Sequence, residues 1–452
     1  NNSYSHNYGV ESYLARINYG FKSRYYIDAS WRTDGSSRFH PSDRWGHFWS
    51  VGASWRISEE QFRETPRQWL DNLTLKVSYG VQGNDNLGTY YAWQGLYDYT
   101  WPNATDAGAF VDKLENRKVT WEKNGNLNAG IEATMFGGRL GVSVEYYNRK
   151  TRDMLLNSPL PISTGFTGFN DNVGSLRNQG LEVSLRGTIL DKRDFRWDAT
   201  LMGSFNRNKV LSLTGGQDVI TSGIRVIEVG RPIYTFYLPK TAGVDPATGK
   251  QLYYAYWTQT VNDEGTLVNT RCDEYITDNV AMATLSKYYH ESREPKLFGS
   301  IGSTFTILKN IDVSFLTTYS IGGWVYDGLY NGSMYVQYAG NNWHKNAKRR
   351  WQKPGDKTDV PMLEVGGSYA TTSNSLIDAS YFAIKNITVG YTLPKRWLKK
   401  IDIESLRIYA TLDNIAMFNH MDGMDPQYNF TGSVAYSYTP SRVIAFGIDL
   451  NF

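Results

Sequence analysis

The residue types that most often carry chemistry are sparse in this sequence. It contains six histidines and a single cysteine, Cys272. The histidines form no HExxH pair, and neither a G-x-S-x-G nucleophile elbow nor a glycine-rich phosphate loop is present. Cys272 can form no internal disulfide and has no cysteine neighbour with which to hold a metal. We therefore expect no catalytic site, no metal site and no cofactor, and we do not expect an enzyme.

Tyrosine and tryptophan are concentrated in two segments, and these rings are the candidate substrate-binding residues. The first segment carries Tyr90, Tyr91, Trp93, Tyr97, Tyr99 and Trp101. The second carries Tyr330, Tyr335, Tyr338 and Trp343. Flat rings with polar handles suit stacking on sugars or packing against peptide side chains. The same rings would also suit packing of one connection onto another or a position at a membrane surface, so both interpretations remain open.

Composition indicates which elements position these rings. Aromatic residues make up 15% of the chain, and its 33 Tyr and 42 Gly favour strands and tight turns over helices. The 47 basic and 44 acidic residues give a formal net charge of +3, too weak a bias to imply nucleic acid. Nowhere do 18 apolar residues follow one another, so a helical membrane span is excluded. A barrel span is not excluded, because its strands need only every second residue apolar.

Strict alternation of apolar and polar residues is the most informative pattern, since successive strand residues face opposite sides of a sheet. One face of the segment 73–82 is formed by Leu73, Leu75, Val77, Tyr79 and Val81, and its other face is polar or small. The alternation predicts about thirteen strands. They are expected at 10–20, 24–33, 47–58, 71–82, 125–136, 139–150, 177–190, 195–208, 296–308, 310–322, 381–393, 405–417 and 442–452.

The connections between these strands alternate between short and long. Four of the long ones span 83–124, 209–295, 323–380 and 418–441. Transmembrane barrels place short turns on the periplasmic side and long loops outside the cell. Compact soluble domains seldom contain connections of this length. The fold class predicted is therefore all-β, a transmembrane antiparallel β-barrel whose four long connections are extracellular.

The parity of the strand count carries a further expectation. The last predicted strand ends at the chain end, Phe452, and is expected to run towards the periplasm. Counting back thirteen strands makes the first strand run in the same direction. Single-chain bacterial barrels normally have an even number of strands. We therefore expect an odd number of further strands encoded before Asn1.

Several segments resemble the C-terminal half of SusC-type TonB-dependent transporters. The most family-like are WRTDGSSRF at 31–39 and GASWRISEEQF at 52–62. The others are LKVSYGVQGN at 75–84, LGVSVEYYNRKTRDMLL at 140–156, NQGLEVSL at 178–185, YFAIKNITVGYTLP at 381–394 and RIYATLDNIAMF at 407–418. Each motif alone is weak, but all of them follow the order found in the family. The family barrel has 22 strands around an N-terminal plug, so nine further strands and the plug would lie outside this chain.

The resemblance implies a multi-pass protein of the Gram-negative outer membrane. Its implied function is TonB-dependent import of a bulky nutrient. An oligosaccharide is the first candidate for this nutrient, and an oligopeptide is the second. The implied partners are a SusD-like surface lipoprotein, TonB acting through the N-terminal part, and outer-membrane lipid with lipopolysaccharide. A passive porin and a structural or adhesive barrel are the alternatives. The chain is long for its strand count compared with porins, whose 16 to 18 strands enclose an open channel.

The run KNAKRRWQK at 345–353 is strongly basic and lies in the connection 323–380. We interpret it as a solvated loop or a contact with anionic lipopolysaccharide in preference to a substrate site.

Overall fold

Thirteen long strands form the framework of the molecule. The computed structural model describes residues 5–60, 69–101, 104, 106, 108–213, 218–334, 340, 342–364, 369–398, 403–421, 423–427, 430–434 and 438–452. The long strands are β1 Val10–Phe21, β2 Tyr25–Ser36, β3 Trp45–Arg56, β4 Leu70–Asn84, β5 Glu122–Met135, β6 Leu140–Arg152, β7 Ser175–Lys192, β8 Phe195–Ser212, β9 Leu297–Ile307, β10 Ile311–Ile321, β11 Tyr381–Thr392, β12 Ser405–Asn419 and β13 Val443–Asn451.

These strands form one sheet whose strand order follows the chain order from β1 to β13. Each predicted strand is confirmed, and observed boundaries differ from the predicted ones by a few residues. The fold class, an all-β antiparallel sheet of thirteen strands, is confirmed as well. No helix in the described part of the chain is long and apolar enough to cross a membrane.

Short turns join alternate strand pairs. Lys22 and Ser23 between β1 and β2 have φ of 51° and 55°, and Arg24 N–H donates to Phe21 O at 3.0 Å. Leu308 and Lys309 between β9 and β10 have φ of 50° and 64°. Two successive residues with positive φ give a turn whose twist matches the right-handed twist of the flanking strands. These turns therefore fix the register of their hairpins.

The longer connections have secondary structure of their own, which the sequence did not predict. Their strands are Leu96–Asp98, Phe110–Lys113, Leu155–Pro159, Gly168–Asn172, Val219–Ser222, Arg225–Glu228, Thr235–Pro239, Thr241–Val244, Gln251–Val261, Leu267–Thr277, Lys287–Ser292, Trp324–Asp327, Leu376–Asp378 and Ser433–Val434. Their α-helices are Val280–Leu285, Gly328–Met334 and Lys395–Leu398. Their 3-10 helices are Ile57–Glu59, Ile162–Thr164, Lys345–Arg349 and Ser373–Ser375.

The chain divides into two compact units. The first comprises Asn1–Ile220, Glu228–Arg231 and Ser303–Phe305, and the second comprises Thr221–Ile227, Pro232–Gly302 and Thr306–Phe452.

In the first unit, strand register separates an apolar face of the sheet from a polar one. One cross-strand row runs Ile27, Ala53, Val77, Ala129, Tyr146 and Leu181. The adjacent row, one residue along each strand, runs Asp28, Gly52, Ser78, Asn128, Tyr147 and Gly180. Because side chains alternate strictly along a strand, these two rows face opposite sides of the sheet.

Large apolar side chains of both units are exposed along the sheet. Leu14 is 74% exposed in the first unit, and Phe446 is 81% exposed in the second. Buried apolar side chains form small clusters where the connections meet the strand ends, such as Phe39, Phe48, Ala92, Val119 and Trp121 in the first unit. Contiguous exposed apolar surface of this kind marks contact with protein or membrane.

The assignment of faces can be tested by placing a charge on each side of β4. Val77→Arg puts a cation on the apolar face. Near the midplane of a membrane, such a charge would lower the stability of the folded protein by about 2 to 4 kcal/mol. Ser78→Arg puts the same cation on the polar face and should cost much less. Heat-modifiable migration of the protein extracted from outer membranes would report the folded fraction. Assembly damaged more by Ser78→Arg than by Val77→Arg would show that the faces are assigned the wrong way round.

Candidate ligand-binding surfaces in the long connections

The first aromatic segment is held at its start by a cluster of rings around Arg38. The Arg38 guanidinium carbon lies 4.6 Å from the ring centre of Tyr8 and 5.2 Å from that of Tyr90. The same guanidinium forms an ion pair with Asp85 at 3.2 Å, and both side chains are mostly buried. A cation that stacks on an aromatic face away from bulk water stabilises the fold more than an exposed cation–aromatic pair does. This cluster therefore fixes Tyr90 within the connection.

Tyr91 and Trp93 are also engaged within the protein. The backbone N–H of Asn7 donates to the Tyr91 hydroxyl at 3.3 Å. Trp93 packs against the buried cluster of Phe39, Phe48, Ala92, Val119 and Trp121. Its ring meets that of His40 edge-on, with 5.0 Å between the ring centres. We interpret Tyr90, Tyr91 and Trp93 as residues that fold the connection.

The other three rings of the segment are exposed. Tyr97, Tyr99 and Trp101 are 59%, 70% and 68% exposed. They lie on or beside a small hairpin in which Leu96–Asp98 pairs with Phe110–Lys113. Trp101 contacts Phe110 edge-on at 6.2 Å between ring centres. These exposed rings, which we call the exposed hairpin rings, are available to stack on a ligand.

The Asp98 carboxylate holds the turn that follows the first strand of this hairpin. This carboxylate accepts hydrogen bonds from the backbone N–H and the hydroxyl of Thr100, at 2.8 and 2.7 Å. The Thr100 hydroxyl and backbone N–H hold the pKa of Asp98 below its usual value. The carboxylate is therefore ionised at neutral pH and ordered next to Tyr99.

The second aromatic segment is only partly described. Tyr335 and Tyr338 lie outside the described residues. Trp343 is 37% exposed, and the neighbouring His344 ring lies 4.9 Å from that of Tyr330. Tyr330 packs against the buried cluster of Met334, Ala347 and Val360. Of this segment, Trp343 is the described ring that remains a predicted ligand contact.

A second aromatic surface was missed by the sequence analysis. It lies in the connection between β8 and β9, and we call it the tyrosine–cation array. The Lys240 ammonium lies 4.3 Å from the ring centre of Tyr254 and 5.8 Å from that of Tyr288. The Tyr288 ring is 5.3 Å from the ring of Tyr256, and the Arg271 guanidinium lies 5.2 Å from that same Tyr256 ring. The sequence signal for this surface is two tyrosine-rich segments, YYAY at 253–256 and YYH at 288–290.

Burial raises the pKa of two tyrosines of the array, Tyr256 and Tyr288. It raises the pKa of Tyr256 to about 12, and a hydrogen bond with Tyr237 contributes in the same direction. Burial also raises the pKa of Tyr288, and the Glu274 carboxylate raises it further. The Tyr256 hydroxyl donates to the backbone oxygen of Lys287 at 2.6 Å, and the Tyr288 hydroxyl is buried, so neither hydroxyl is open to a ligand.

The polar face of β2 to β5 has a concave region of about 860 Å³. Its lining includes Asp28, Ser30, Ser50, Ser78, Asn126 and Asn128. These are hydroxyl, amide and carboxylate groups rather than a catalytic set. Among the described residues, no group of three or more His, Cys, Asp or Glu is placed to hold a metal ion.

Residues 1–415 match the family described as TonB dependent receptor-like, beta-barrel. The chain is 28% identical to the TonB-dependent receptor SusC of Bacteroides thetaiotaomicron, over 98% of the chain and 43% of that protein. It is also 28% identical to the TonB-dependent receptor P26 of Formosa agariphila, over 98% of the chain and 46% of that protein. The chain thus spans about half the length of the curated relatives it matches.

A solved structure described as that of the RagAB peptide transporter is similar in fold. It superposes with a TM-score of 0.83 at 29% identity, over 98% of this chain and 48% of that one.

The division between folding and exposed rings in the first aromatic segment can be tested by proteolysis. Trp93→Ala removes a ring packed on a buried cluster and should cost on the order of 2 kcal/mol of local stability. Tyr99→Ala removes an exposed ring and should cost less than about 0.5 kcal/mol. Limited proteolysis of the folded protein should cut the connection between β4 and β5 faster in the Trp93 variant. Equal cleavage of the two variants would contradict the division.

Proposed function

Because the chain belongs to the TonB-dependent receptor-like β-barrel family, we propose that it is the C-terminal strand-forming part of an outer-membrane importer. In this proposal nine further strands and a plug complete a 22-strand barrel. Energy delivered through TonB moves the plug, and a bulky nutrient passes. A SusD-like surface lipoprotein works with the barrel to capture the cargo.

The apolar face of the sheet supports the membrane position. On β3, Trp45 stacks with Tyr13 at 6.2 Å and Trp55 stacks with Tyr25 at 6.4 Å between ring centres. Ten residues separate the two tryptophans, which is about 33 Å along a strand at roughly 3.3 Å per residue. A strand tilt of about 40° reduces this to a height of about 25 Å, the height of the apolar band between the aromatic girdles of outer-membrane barrels. The two aromatic pairs therefore suit the two membrane interfaces.

The aromatic surfaces of the connections support the choice of cargo. The exposed hairpin rings combine ring faces with the hydroxyl groups of Tyr97 and Tyr99, and the tyrosine–cation array adds partly exposed rings, which suits an oligosaccharide. An oligopeptide is the second candidate, because the structurally similar RagAB is described as a peptide transporter. A passive porin and an adhesive barrel would need no energy input, so the requirement for TonB separates the proposal from both.

Surface labelling tests the orientation of the connections. In a variant whose native Cys272 is replaced by serine, Glu264→Cys lies at the tip of the hairpin between Gln251–Val261 and Leu267–Thr277. It should react with an impermeant maleimide on intact cells. Arg193→Cys, in the short turn between β7 and β8, should react only after the outer membrane is opened. Labelling of Arg193→Cys and not of Glu264→Cys on intact cells would reverse the orientation.

Growth and binding test the import function. Growth on the cognate nutrient should stop when TonB is deleted, because a plugged barrel of about 22 strands passes no large cargo passively. Tyr97→Ala, Tyr99→Ala and Trp101→Ala combined should weaken cargo binding to the purified complex, since ring area for contact with sugar or peptide is lost while the folding rings are kept. Tyr438→Ala, which removes a ring that is 96% exposed in another connection, is the matched control.

The prediction on growth and the prediction on binding can fail separately. Unchanged growth without TonB would overturn active import and restore the porin. Growth that needs TonB, with normal binding by the triple variant, would leave import standing and remove the exposed hairpin rings from the site.

A further inference from the structure

The basic run noted in the sequence forms an ordered surface. We call residues 344–362 the basic segment. It contains the 3-10 helix Lys345–Arg349, whose first turn is capped by His344: the backbone N–H of Asn346 donates to His344 Nδ1 at 3.2 Å. The helix is followed by a turn in which the Asp356 carboxylate accepts from the backbone N–H groups of Gln352 and Lys353, both at 3.0 Å.

Trp351 anchors this segment to the rest of the second unit. Its indole N–H donates to the backbone oxygen of Pro246 at 2.9 Å. The indole also covers Gly249, where an added Cβ would lie only 2.5 Å from the ring. The backbone N–H of Gly355 donates to Pro246 O at 2.8 Å, so the same turn is held twice. Because the backbone is fixed in this way, little further backbone entropy is lost when a partner binds the side chains of the segment.

Six lysines and arginines lie in the basic segment, and four of them have no acidic partner among the described residues. Arg349 forms an ion pair with Asp359 at 3.3 Å, and Lys345 is also engaged. Within the described part of the chain, no carboxylate oxygen lies within 4.0 Å of the charged groups of Lys348, Arg350, Lys353 and Lys357. Lys348, Lys353 and Lys357 are exposed, and Arg350 is partly exposed. An anchored backbone therefore presents four uncompensated positive charges within ten residues.

We propose that Lys348, Arg350, Lys353 and Lys357 bind the phosphate groups of lipopolysaccharide. The proposal rests on the outer-membrane location given under the proposed function. Exposed lysines on flexible stems act as point charges towards phosphate. The attractions of several basic residues to an anionic lipid surface add to one another, and the total attraction falls as the ionic strength rises.

The arrangement suits a charged surface better than an enclosed cargo. The one ring at the centre of the segment, Trp351, is engaged with Pro246 and Gly249 and is not free to stack on a sugar. Phosphates spread over a lipid surface can meet charges that are distributed along a loop, whereas a single carboxylate on a cargo can meet only one or two.

The test measures lipopolysaccharide bound to the complete protein. The protein is purified from outer membranes, and the co-purified lipopolysaccharide phosphate is counted per protein. Binding to vesicles that contain lipopolysaccharide is then measured at low and high salt. Lys348→Gln, Arg350→Gln, Lys353→Gln and Lys357→Gln combined should weaken vesicle binding at least tenfold and reduce its salt dependence. Native binding should fall similarly when vesicles carry dephosphorylated lipopolysaccharide.

Two control variants separate charge from structure. Lys348→Arg, Lys353→Arg and Lys357→Arg combined keep the charges and should bind as the native protein does. Lys192→Gln, Arg193→Gln and Lys309→Gln combined remove cations from the short turns and should also leave binding unchanged. Heat-modifiable migration should show all variants folded.

Three results would overturn the proposal. They are unchanged vesicle binding by the quadruple variant, equal binding of dephosphorylated lipopolysaccharide, and loss of acidic-cargo uptake by the quadruple variant with lipopolysaccharide binding intact. The last would identify the cations as a cargo site. TonB-dependent growth of the native protein is independent of all three, so the import function is judged separately.

Discussion

Hydrogen bonding between neighbouring strands is the constraint on which the rest of the molecule depends. A backbone N–H or C=O left unpaired in hydrocarbon costs several kcal/mol, so a sheet can cross a membrane only when every strand is paired on both sides. Antiparallel pairing from β1 to β13 meets this need for the interior strands. It also fixes the register, and a slip of one residue would exchange the two faces of the sheet. The apolar row through Val77 and the polar row through Ser78 are direct results of that register.

Because the sheet is held by its own hydrogen bonds, the connections are free to carry function, but they must fold on small cores. The buried cluster at Phe39 and Trp121 and the Arg38 ion pair with Asp85 are such local devices. They use Tyr90 and Trp93 and leave Tyr97 and Tyr99 in solvent. The rings of one aromatic segment therefore fall into two groups. The rings that pack in the local core fold the connection, and the others remain exposed to solvent.

The strands were predictable from sequence and the surfaces of the connections were not. Alternation is a local signal, and it placed β4 and β7 within a few residues of their observed ends. The ring cluster around Arg38 joins Tyr8 to Tyr90, and the tyrosine–cation array joins Lys240 to Tyr288. Such contacts depend on chain folding over long sequence distances. Residue type cannot distinguish Trp93, which packs inwards, from Trp101, which is exposed, since both are tryptophans in the same connection.

In the importer that we propose, the chemistry of the polar face limits where cargo can be selected. Ser30, Ser50 and Ser78 with Asn126 and Asn128 offer hydroxyl and amide groups there, and Tyr8, Trp49 and Tyr79 are among the aromatic residues that also line the region. Passage through a pore requires binding that is weak enough to be released at each step. Small hydroxyl and amide groups meet that requirement. In the importer that we propose, stronger selection is expected at the exposed hairpin rings and the tyrosine–cation array, where rings and charges are held in place.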